Sequence, residues 1–179
     1  IGIGHTRWAT HGIPSENNAH PHSNNDNSLI VIHNGIIENY STLKKALIQE
    51  GYKFVSETDT EVLAHLIDRV LKKGYGLFQS VRLALNEVEG TYGIAVLYSK
   101  EPDKIIAAKN GSPLVIGVGD EENFVASDVS ALIAYTSRVV YLEDNEIAEV
   151  TSDHFTAKTI FDEDIEKEIQ KVEMNLEEI

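Results

Sequence analysis

Five of the seven histidines lie in the first 33 residues, at His5, His11, His20, His22 and His33. Imidazole is a common metal ligand, so a metal site is one interpretation. Their separations of six, nine, two and eleven residues match no zinc pattern, and the H-E-x-x-H motif is absent. We therefore favour histidines that are hydrogen-bonded within the fold or that contact a substrate. No metal or cofactor is predicted.

The segment from His5 to Gly12 (HTRWATHG) combines several residue types that recognise small ligands. Arg7 offers a planar fork of donors that suits a carboxylate, and threonine hydroxyls add short hydrogen bonds. Trp8, the only tryptophan of the chain, could cover a bound molecule. An amphipathic strand with an arginine ion pair and a core tryptophan explains the same pattern, and spacing alone leaves both interpretations open.

Two further motifs have both a chemical and a structural interpretation. In His33-Asn34-Gly35, an asparagine amide beside a glycine N–H offers the two donors that an oxyanion hole requires. Asn-Gly is also typical of a tight turn, which the motif by itself favours. Asp59 precedes a predicted helix, where a carboxylate usually satisfies backbone N–H groups. Binding of a ligand's ammonium group is the alternative for Asp59.

Helices are predicted in the first half of the chain. Residues 28–34 form a short apolar run that predicts a buried strand ending at the Asn-Gly turn. Ser41 is placed to cap a helix that Gly51 stops. The segment Thr58-Asp-Thr-Glu61 has the form of a capping box, and its helix is expected to end at Gly74. A third helix is predicted over 77–88.

Short apolar or alternating stretches separated by turn residues dominate the second half of the chain. Their close spacing predicts antiparallel strands rather than βαβ units, with a short helix near 127–134. Helices followed by strands indicate an α+β fold with helices packed on a sheet. The acidic tail, 163–179, fits both a helix and a linker. The predicted strands cover 91–98, 105–108, 114–118, 124–126, 139–142, 147–150 and 155–161.

Composition excludes several classes of function. The chain has 179 residues and 19.8 kDa, which suggests one domain. Fifteen lysines and arginines against 29 acidic residues give a net charge of −14, so a nucleic-acid partner is not expected. No apolar run approaches the ~18 residues of a membrane span. The absence of cysteine excludes disulfides, thiolate zinc sites and a cysteine nucleophile within these residues.

Seven motifs taken together resemble one family, over residues 1–162. It is the glutaminase domain (type 2 glutamine amidotransferase, N-terminal nucleophile) of the glucosamine-6-phosphate synthases. Amidophosphoribosyltransferase glutaminases are similar in plan, but Trp8 and the His20-Pro-His22 run favour the synthases. The motifs are His5–Gly12, Asn18–His22, His33–Asn39, Ser56–Val62, Gly90–Gly93, Gly111–Gly117 and Ala126–Asp128.

The resemblance implies a fold and a reaction. The fold is an αββα sandwich in which two antiparallel sheets pack between helical layers. In the family, an N-terminal cysteine attacks the glutamine amide, and its own α-amino group acts as the base. The ammonia released passes to a sugar isomerase domain that converts fructose-6-phosphate to glucosamine-6-phosphate. On this basis 1–162 is a partial amidotransferase domain, and 163–179 begins a linker to the isomerase domain.

The resemblance also assigns roles by motif. Arg7 would bind the glutamine α-carboxylate and Asp59 its α-ammonium group, while Asn34 and the Gly35 N–H would form the oxyanion hole. The remaining expected contacts are with Thr10 and His11, which would line the pocket, Trp8, which would gate the ammonia passage, and His20 at its edge.

The sequence departs from this family at its beginning. It contains no cysteine, and residue 1 is Ile, in a segment that is typical of the middle of a domain. We therefore expect a fragment that does not hydrolyse glutamine by itself, from a cytoplasmic parent enzyme whose isomerase domain supplies much of a homodimer contact. The alternatives are a non-catalytic remnant that binds glutamine or a partner, and a histidine-metal hydrolase.

Overall fold

A computed structural model describes residues 1–7 and 12–173 of the chain. The described residues form three α-helices and eleven strands in two antiparallel sheets. The helices are α1 (Tyr40–Gln49), α2 (Thr60–Leu71) and α3 (Leu77–Leu85). The strands are β1 (His22–Ser23), β2 (Leu29–Ile37), β3 (Gly90–Tyr98), β4 (Glu101–Asn110), β5 (Val115–Val118), β6 (Asn123–Ala126), β7 (Arg138–Tyr141), β8 (Glu146–Val150), β9 (Phe155–Thr159), β10 (Asp164–Ile165) and β11 (Gln170–Lys171).

The first sheet has seven strands in the order β1-β2-β3-β4-β8-β9-β10. Its most regular pairing joins β2 to β3 through nine consecutive residue pairs, from Leu29 with Tyr98 to Ile37 with Gly90. The second sheet has four strands in the order β11-β7-β5-β6, so β6 is one of its edges. The predicted α+β fold with two antiparallel sheets is confirmed.

Alternation along β2 determines which layer each of its side chains enters. Leu29, Val31 and Ile37 are fully buried against the helices, in one cluster with Leu63 and Leu66 of α2. The intervening residues of β2 face the opposite side of the sheet because successive side chains point to opposite faces. A second apolar cluster of small and branched side chains, formed by Ala107, Leu114, Ile116, Val140, Leu142, Ala148, Val150 and Ala157, fills the space between the sheets.

The expected strand at 28–34 extends through Asn34 and Gly35 to Ile37. The prediction of a turn at Asn-Gly was therefore wrong. Asn34 pairs with Gly93 and Gly35 with Tyr92, so strand pairing with β3 continues through both residues. A distant strand thus overrides the local preference of the dipeptide for a turn.

Helix positions agree with the sequence better than helix caps do. Gly51 and Gly74 adopt positive φ just after α1 and α2, as predicted for helix ends. Ser41 is not a cap, since α1 begins at Tyr40. The residue before it, Asn39, uses its side chain to bind the backbone of 87–89 instead.

Three further expectations need correction. The capping box at Thr58–Glu61 is not formed, because the Glu61 carboxylate accepts from Val55 and Ser56 rather than from Thr58. The helix expected over 77–88 ends at Leu85. The short helix near 127–134 is a single 3-10 turn at Val129–Ala131.

The described part of the tail is extended. The strands β10 and β11 pair with β9 of the first sheet and β7 of the second. No helix among the described residues is long and apolar enough to cross a membrane.

Candidate active site

A cavity of about 420 Å³ lies between the first sheet and the β6 edge of the second. Its walls combine small residues with polar groups, which leaves room for a small polar ligand. The lining includes Gly4, His5, Asn34, Ala95, Ala126 and Ser127. One predicted oxyanion residue, Asn34, therefore lies at a cavity.

Asn34 and His33 occupy opposite faces of β2. His33 is buried toward α2, where its Nδ1 atom lies 2.9 Å from the Thr60 hydroxyl and its Nε2 atom lies 3.2 Å from the Thr91 carbonyl oxygen. The Asn34 Oδ1 atom lies 2.7 Å from Nε2 of His5. His33 thus connects β2 to α2, while Asn34 contacts the N-terminal segment through His5.

Gly35 is a position where only glycine fits. Its φ of +131° is a conformation that L-residues rarely adopt. A Cβ atom there would lie 2.2 Å from the Thr91 carbonyl oxygen, far inside van der Waals contact. The backbone conformation next to Asn34 therefore requires a residue without a side chain at position 35.

Arg7 shapes the loop that approaches Asn34. Its φ of +50° is in the left-handed region, and its guanidinium donates to the carbonyl oxygens of Gly12 and Ile13 at 3.2 and 3.3 Å. The Arg7 backbone N–H donates to Nδ1 of His5 at 2.9 Å. Arg7 is thus positioned by contacts on both sides of the undescribed segment 8–11.

Asp59 lies at the C-terminal end of β2, and this residue is only 3% exposed. Its Oδ2 atom accepts a hydrogen bond from the Ile37 backbone N–H at 2.7 Å. No side-chain cap bond from Asp59 to α2 is formed, although it is the residue before that helix. The prediction of a helix cap was therefore wrong, and the carboxylate instead joins the end of β2 to the start of α2.

The rings of His5, His20 and His22 pack against one another beside Asn34 in tilted and edge-on contacts, and we call this group the histidine stack. The ring centroids of His5 and His20 are 4.2 Å apart, and those of His20 and His22 are 5.0 Å apart. Burial is the main cause that lowers the pKa of His20 from 6.5 to about 3, and the Arg7 guanidinium acts in the same direction. Burial also lowers the pKa of His22, although Glu61 and Asp59 oppose this effect. Both rings are therefore neutral at neutral pH.

The pKa of His22 also shows which charged groups surround this stack. Arg7 lowers it and Asp59 raises it, so the two predicted ligands for glutamine both act on the same ring. Among residues 1–7 and 12–173, no group of three or more histidines and carboxylates converges on a metal position.

Glu61 is a buried carboxylate that the sequence pattern did not single out for this role. It is 2% exposed and accepts from the backbone N–H groups of Val55 and Ser56 at 2.9 and 2.7 Å, and from the Ser56 hydroxyl at 2.6 Å. The Nε2 atom of His65 lies 3.5 Å from Oε1 of Glu61. Burial opposes the charge, but these interactions outweigh it and lower the pKa of Glu61 from 4.5 to about 2.

Ser56 links Glu61 to the histidine stack. The Ser56 hydroxyl lies 3.0 Å from that of Thr58, which in turn lies 3.0 Å from Nε2 of His22. A polar network therefore runs from the start of α2 to the histidines. The only signal of it in the sequence was the density of hydroxyl and carboxyl groups in 56–61.

The structure places Arg7, His20, Asn34, Gly35 and Asp59 along β2 and around the histidine stack. The remaining predicted site residues, Trp8, Thr10 and His11, lie outside the described residues. Their roles in the pocket and in the ammonia passage stay predictions.

A sandwich of two antiparallel sheets is the architecture that the resemblance to the amidotransferases implies. Comparison with known families supports that class. Residues 5–134 match the family model described as a glutamine amidotransferase domain. The chain belongs to this family.

Similar proteins identify the branch of the family that the chain matches. The chain is 55% identical to the glutamine–fructose-6-phosphate aminotransferase [isomerizing] of Chlorobaculum tepidum, over 100% of its own length and 30% of the relative's. The protein of that name from Escherichia coli O6:H1 is 50% identical, over 98% and 28%. The chain thus spans just under a third of these relatives.

Solved structures agree with the fold. A glutamine phosphoribosylpyrophosphate amidotransferase from B. subtilis has a TM-score of 0.71 and 29% identity, over 87% of this chain and 34% of that one. A structure of the allosteric regulatory enzyme of purine biosynthesis has a TM-score of 0.67 and 27% identity, over 80% and 31%. The predicted sandwich architecture is confirmed by this likeness.

Proposed function

We propose that this chain is part of the glutamine-hydrolysing domain of a glutamine–fructose-6-phosphate aminotransferase (isomerizing), an enzyme of amino-sugar synthesis. The observation that carries the proposal is the Asn34-Gly35 pair, held within β2 so that Asn34 lines a cavity. The proposal also draws on the 46–55% identity to enzymes of that name.

In this proposal the donors of Asn34 and Gly35 receive the glutamine amide oxygen. As a nucleophile attacks the amide carbon, negative charge develops on that oxygen, and fixed N–H donors stabilise it most in the transition state. The strand pairing with β3 and the contacts of His33 hold both residues in place before the substrate arrives. Little reorganisation is then needed when the charge appears.

Arg7 and Asp59 would hold the two charged ends of the glutamine backbone. A guanidinium suits the α-carboxylate, and a buried carboxylate suits the α-ammonium group. Both groups have structural hydrogen bonds, to Gly12 and Ile13 and to Ile37, that fix their positions relative to Asn34. His20 would border this pocket, and Trp8, Thr10 and His11 would complete it.

The nucleophile in this proposal is a cysteine supplied from outside these 179 residues, because they contain none. A base takes the thiol proton, the sulfur attacks the amide carbon, and the base passes that proton to the amide nitrogen, which leaves as ammonia as the thioester forms. Water then hydrolyses the thioester, which releases glutamate and restores the thiol. The chain alone is expected to be inactive.

The finer parts of the proposal concern the whole enzyme. Residues 1–162 would form a partial amidotransferase domain, and 163–179 would begin a linker whose first residues, in β10 and β11, still pair with the two sheets. Ammonia would pass to a sugar isomerase domain that uses fructose-6-phosphate, in a homodimer located in the cytoplasm. A phosphoribosylpyrophosphate amidotransferase is the second candidate, since a solved structure with that activity in its name shares the fold.

The test is ammonia release from glutamine by the full-length protein and by the isolated chain. We expect activity only in the full-length protein. Replacing Asn34 with Ala should lower kcat by about 10²–10³, the effect of losing one oxyanion donor. The control is Asn86→Ala, since Asn86 is exposed at the end of α3. An Asn34→Ala enzyme within threefold of wild-type kcat would contradict the proposal.

The sugar substrate separates the two candidates. Formation of glucosamine-6-phosphate from glutamine and fructose-6-phosphate supports the first candidate. Consumption of phosphoribosylpyrophosphate, with no reaction of fructose-6-phosphate, would replace it with the second.

A further inference from the structure

We propose that His5 is a positioning residue that sets which end of the Asn34 side-chain amide faces the cavity. The inference rests on the proposed function, because it concerns the donor that Asn34 offers to the glutamine amide oxygen. It assigns His5 a role through Asn34 rather than through contact with the substrate.

The backbone of Arg7 determines which nitrogen of the His5 ring carries the proton. The Arg7 backbone N–H lies 2.9 Å from Nδ1 of His5. A backbone N–H can only donate, so Nδ1 must accept and carries no proton. The neutral ring therefore has its proton on Nε2.

The His5 ring in turn determines the orientation of the Asn34 amide. Nε2 of His5 lies 2.7 Å from Oδ1 of Asn34, so the Nε2–H group donates to that oxygen. An amide turned by 180° would set its own N–H donors against Nε2–H, and the hydrogen bond would be lost. The contact thus keeps Oδ1 on His5 and leaves the Nδ2 donors for the cavity that Asn34 lines.

The surroundings of His5 hold the ring in this arrangement. The His20 ring packs against it at 4.2 Å, tilted by 45°. His20 is neutral because burial lowers its pKa, so this contact places no charged ring next to His5. A doubly protonated His5 ring would place an Nδ1–H group against the Arg7 N–H. The arrangement therefore requires a neutral His5.

This chain of contacts links two parts of the proposed site. The residue that would bind the glutamine carboxylate, Arg7, fixes the tautomer of His5 through its backbone, and His5 fixes the amide of Asn34. Loop conformation is thus coupled to the direction of the oxyanion donor.

The first experiment needs no variant and no activity. Long-range ¹H–¹⁵N correlation of the histidine rings in the wild-type full-length protein at neutral pH reports which ring nitrogen carries the proton. We expect His5 to be protonated on Nε2 only. A proton on Nδ1, or on both nitrogens, would overturn the proposal whether or not the protein hydrolyses glutamine.

The second experiment compares His5→Phe with His5→Gln in the full-length protein, using ammonia release from glutamine. Phenylalanine keeps the ring contact with His20 but cannot donate, so kcat should fall about 10–100-fold, less than on losing Asn34 itself, with KM changed less than about twofold. Glutamine carries an N–H donor near the position of Nε2 and should restore at least part of kcat.

Controls separate this proposal from the proposed function. His154→Phe removes an exposed ring far along the chain and should leave kcat unchanged. If Asn34→Ala lowers kcat while His5→Phe does not, the role of His5 is overturned and the glutaminase assignment stands. If the wild-type protein releases no ammonia, the proposed function fails, and the ring tautomer still decides the proposal for His5.

Discussion

Replacing Glu61 with glutamine tests whether a buried carboxylate holds the loop in front of α2. One carboxylate oxygen accepts from Val55 N–H, and the other accepts from the N–H and hydroxyl of Ser56. A glutamine amide offers one oxygen and one amino group. In either orientation its amino group faces a backbone N–H, so a buried donor loses its acceptor.

Two independent estimates give the size of the effect. Lowering the pKa of Glu61 from 4.5 to about 2 corresponds to about 3 kcal/mol, at about 1.4 kcal/mol for each tenfold change. Leaving a buried donor unsatisfied costs about 1–3 kcal/mol. We therefore expect Glu61→Gln to lower the free energy of unfolding by about 2–3 kcal/mol, a fall of roughly 4–12 °C in Tm.

The pH dependence gives a sharper signature. Because the folded pKa lies below the unfolded value, the stabilisation by Glu61 is fully present above pH 4.5 and is lost as the pH falls toward 2. The difference between wild type and Glu61→Gln should therefore shrink across that range. Urea unfolding followed by circular dichroism, at several pH values from 7 to 2, measures it.

An exposed carboxylate supplies the control for this measurement. Glu168 lies on the surface of the tail, and Glu168→Gln should change the free energy of unfolding by less than about 0.5 kcal/mol. The reasoning is refuted if Glu61→Gln is equally mild at pH 7, or if its difference from wild type stays constant down to pH 2.

Three other predictions concern the site. Gly35→Ala should cost about 2–6 kcal/mol of stability in urea unfolding, from positive-φ strain and the clash with Thr91; a loss below 1 kcal/mol would contradict the geometry. Asp59→Asn should raise the KM for glutamine about 10–100-fold in full-length protein with kcat within threefold; unchanged KM would remove Asp59 from ammonium binding. The pKa of His20 lies near 3 in the folded protein and at 6.5 in the unfolded chain. Between these values only the unfolded chain binds the proton, so the free energy of unfolding falls as the pH falls from 6.5 toward 3. Over this pH range the free energy of unfolding of the wild type should fall by about 1–2 kcal/mol more than that of His20→Gln, a value reduced for the partial exposure of the ring. Parallel plots of unfolding free energy against pH for the two proteins would contradict this.

Much of the secondary structure can be predicted from the sequence because it depends on residues that are close together along the chain. Short alternating stretches in the second half predict strands, and seven of them correspond to β3–β9. Glycines at 51 and 74 end helices through their own backbone freedom. The order of strands within each sheet is set by contacts between distant residues, which periodicity does not report.

The same distinction explains the errors at the site. Asn34-Gly35 has the local chemistry of a turn, but pairing with β3 makes it part of a strand. Asp59 and Glu61 have the spacing of helix-start residues, yet they bind Ile37 and Val55–Ser56. In each case a tertiary partner competes successfully with the local one. The motif resemblance predicts the site residues, whereas the partners of their side chains are set by the tertiary structure.

The unbroken pairing of β2 with β3 makes the site sensitive to changes in chain length. Deleting one residue between Leu29 and His33 would shift the following side chains to the opposite face, so the position of Asn34 would turn toward the helices. The hairpin tip at 119–122, by contrast, is surface loop between β5 and β6 where an extra residue changes no pairing inside a strand. Variation in length among such domains should therefore collect at hairpin tips, while β2 keeps its residue count.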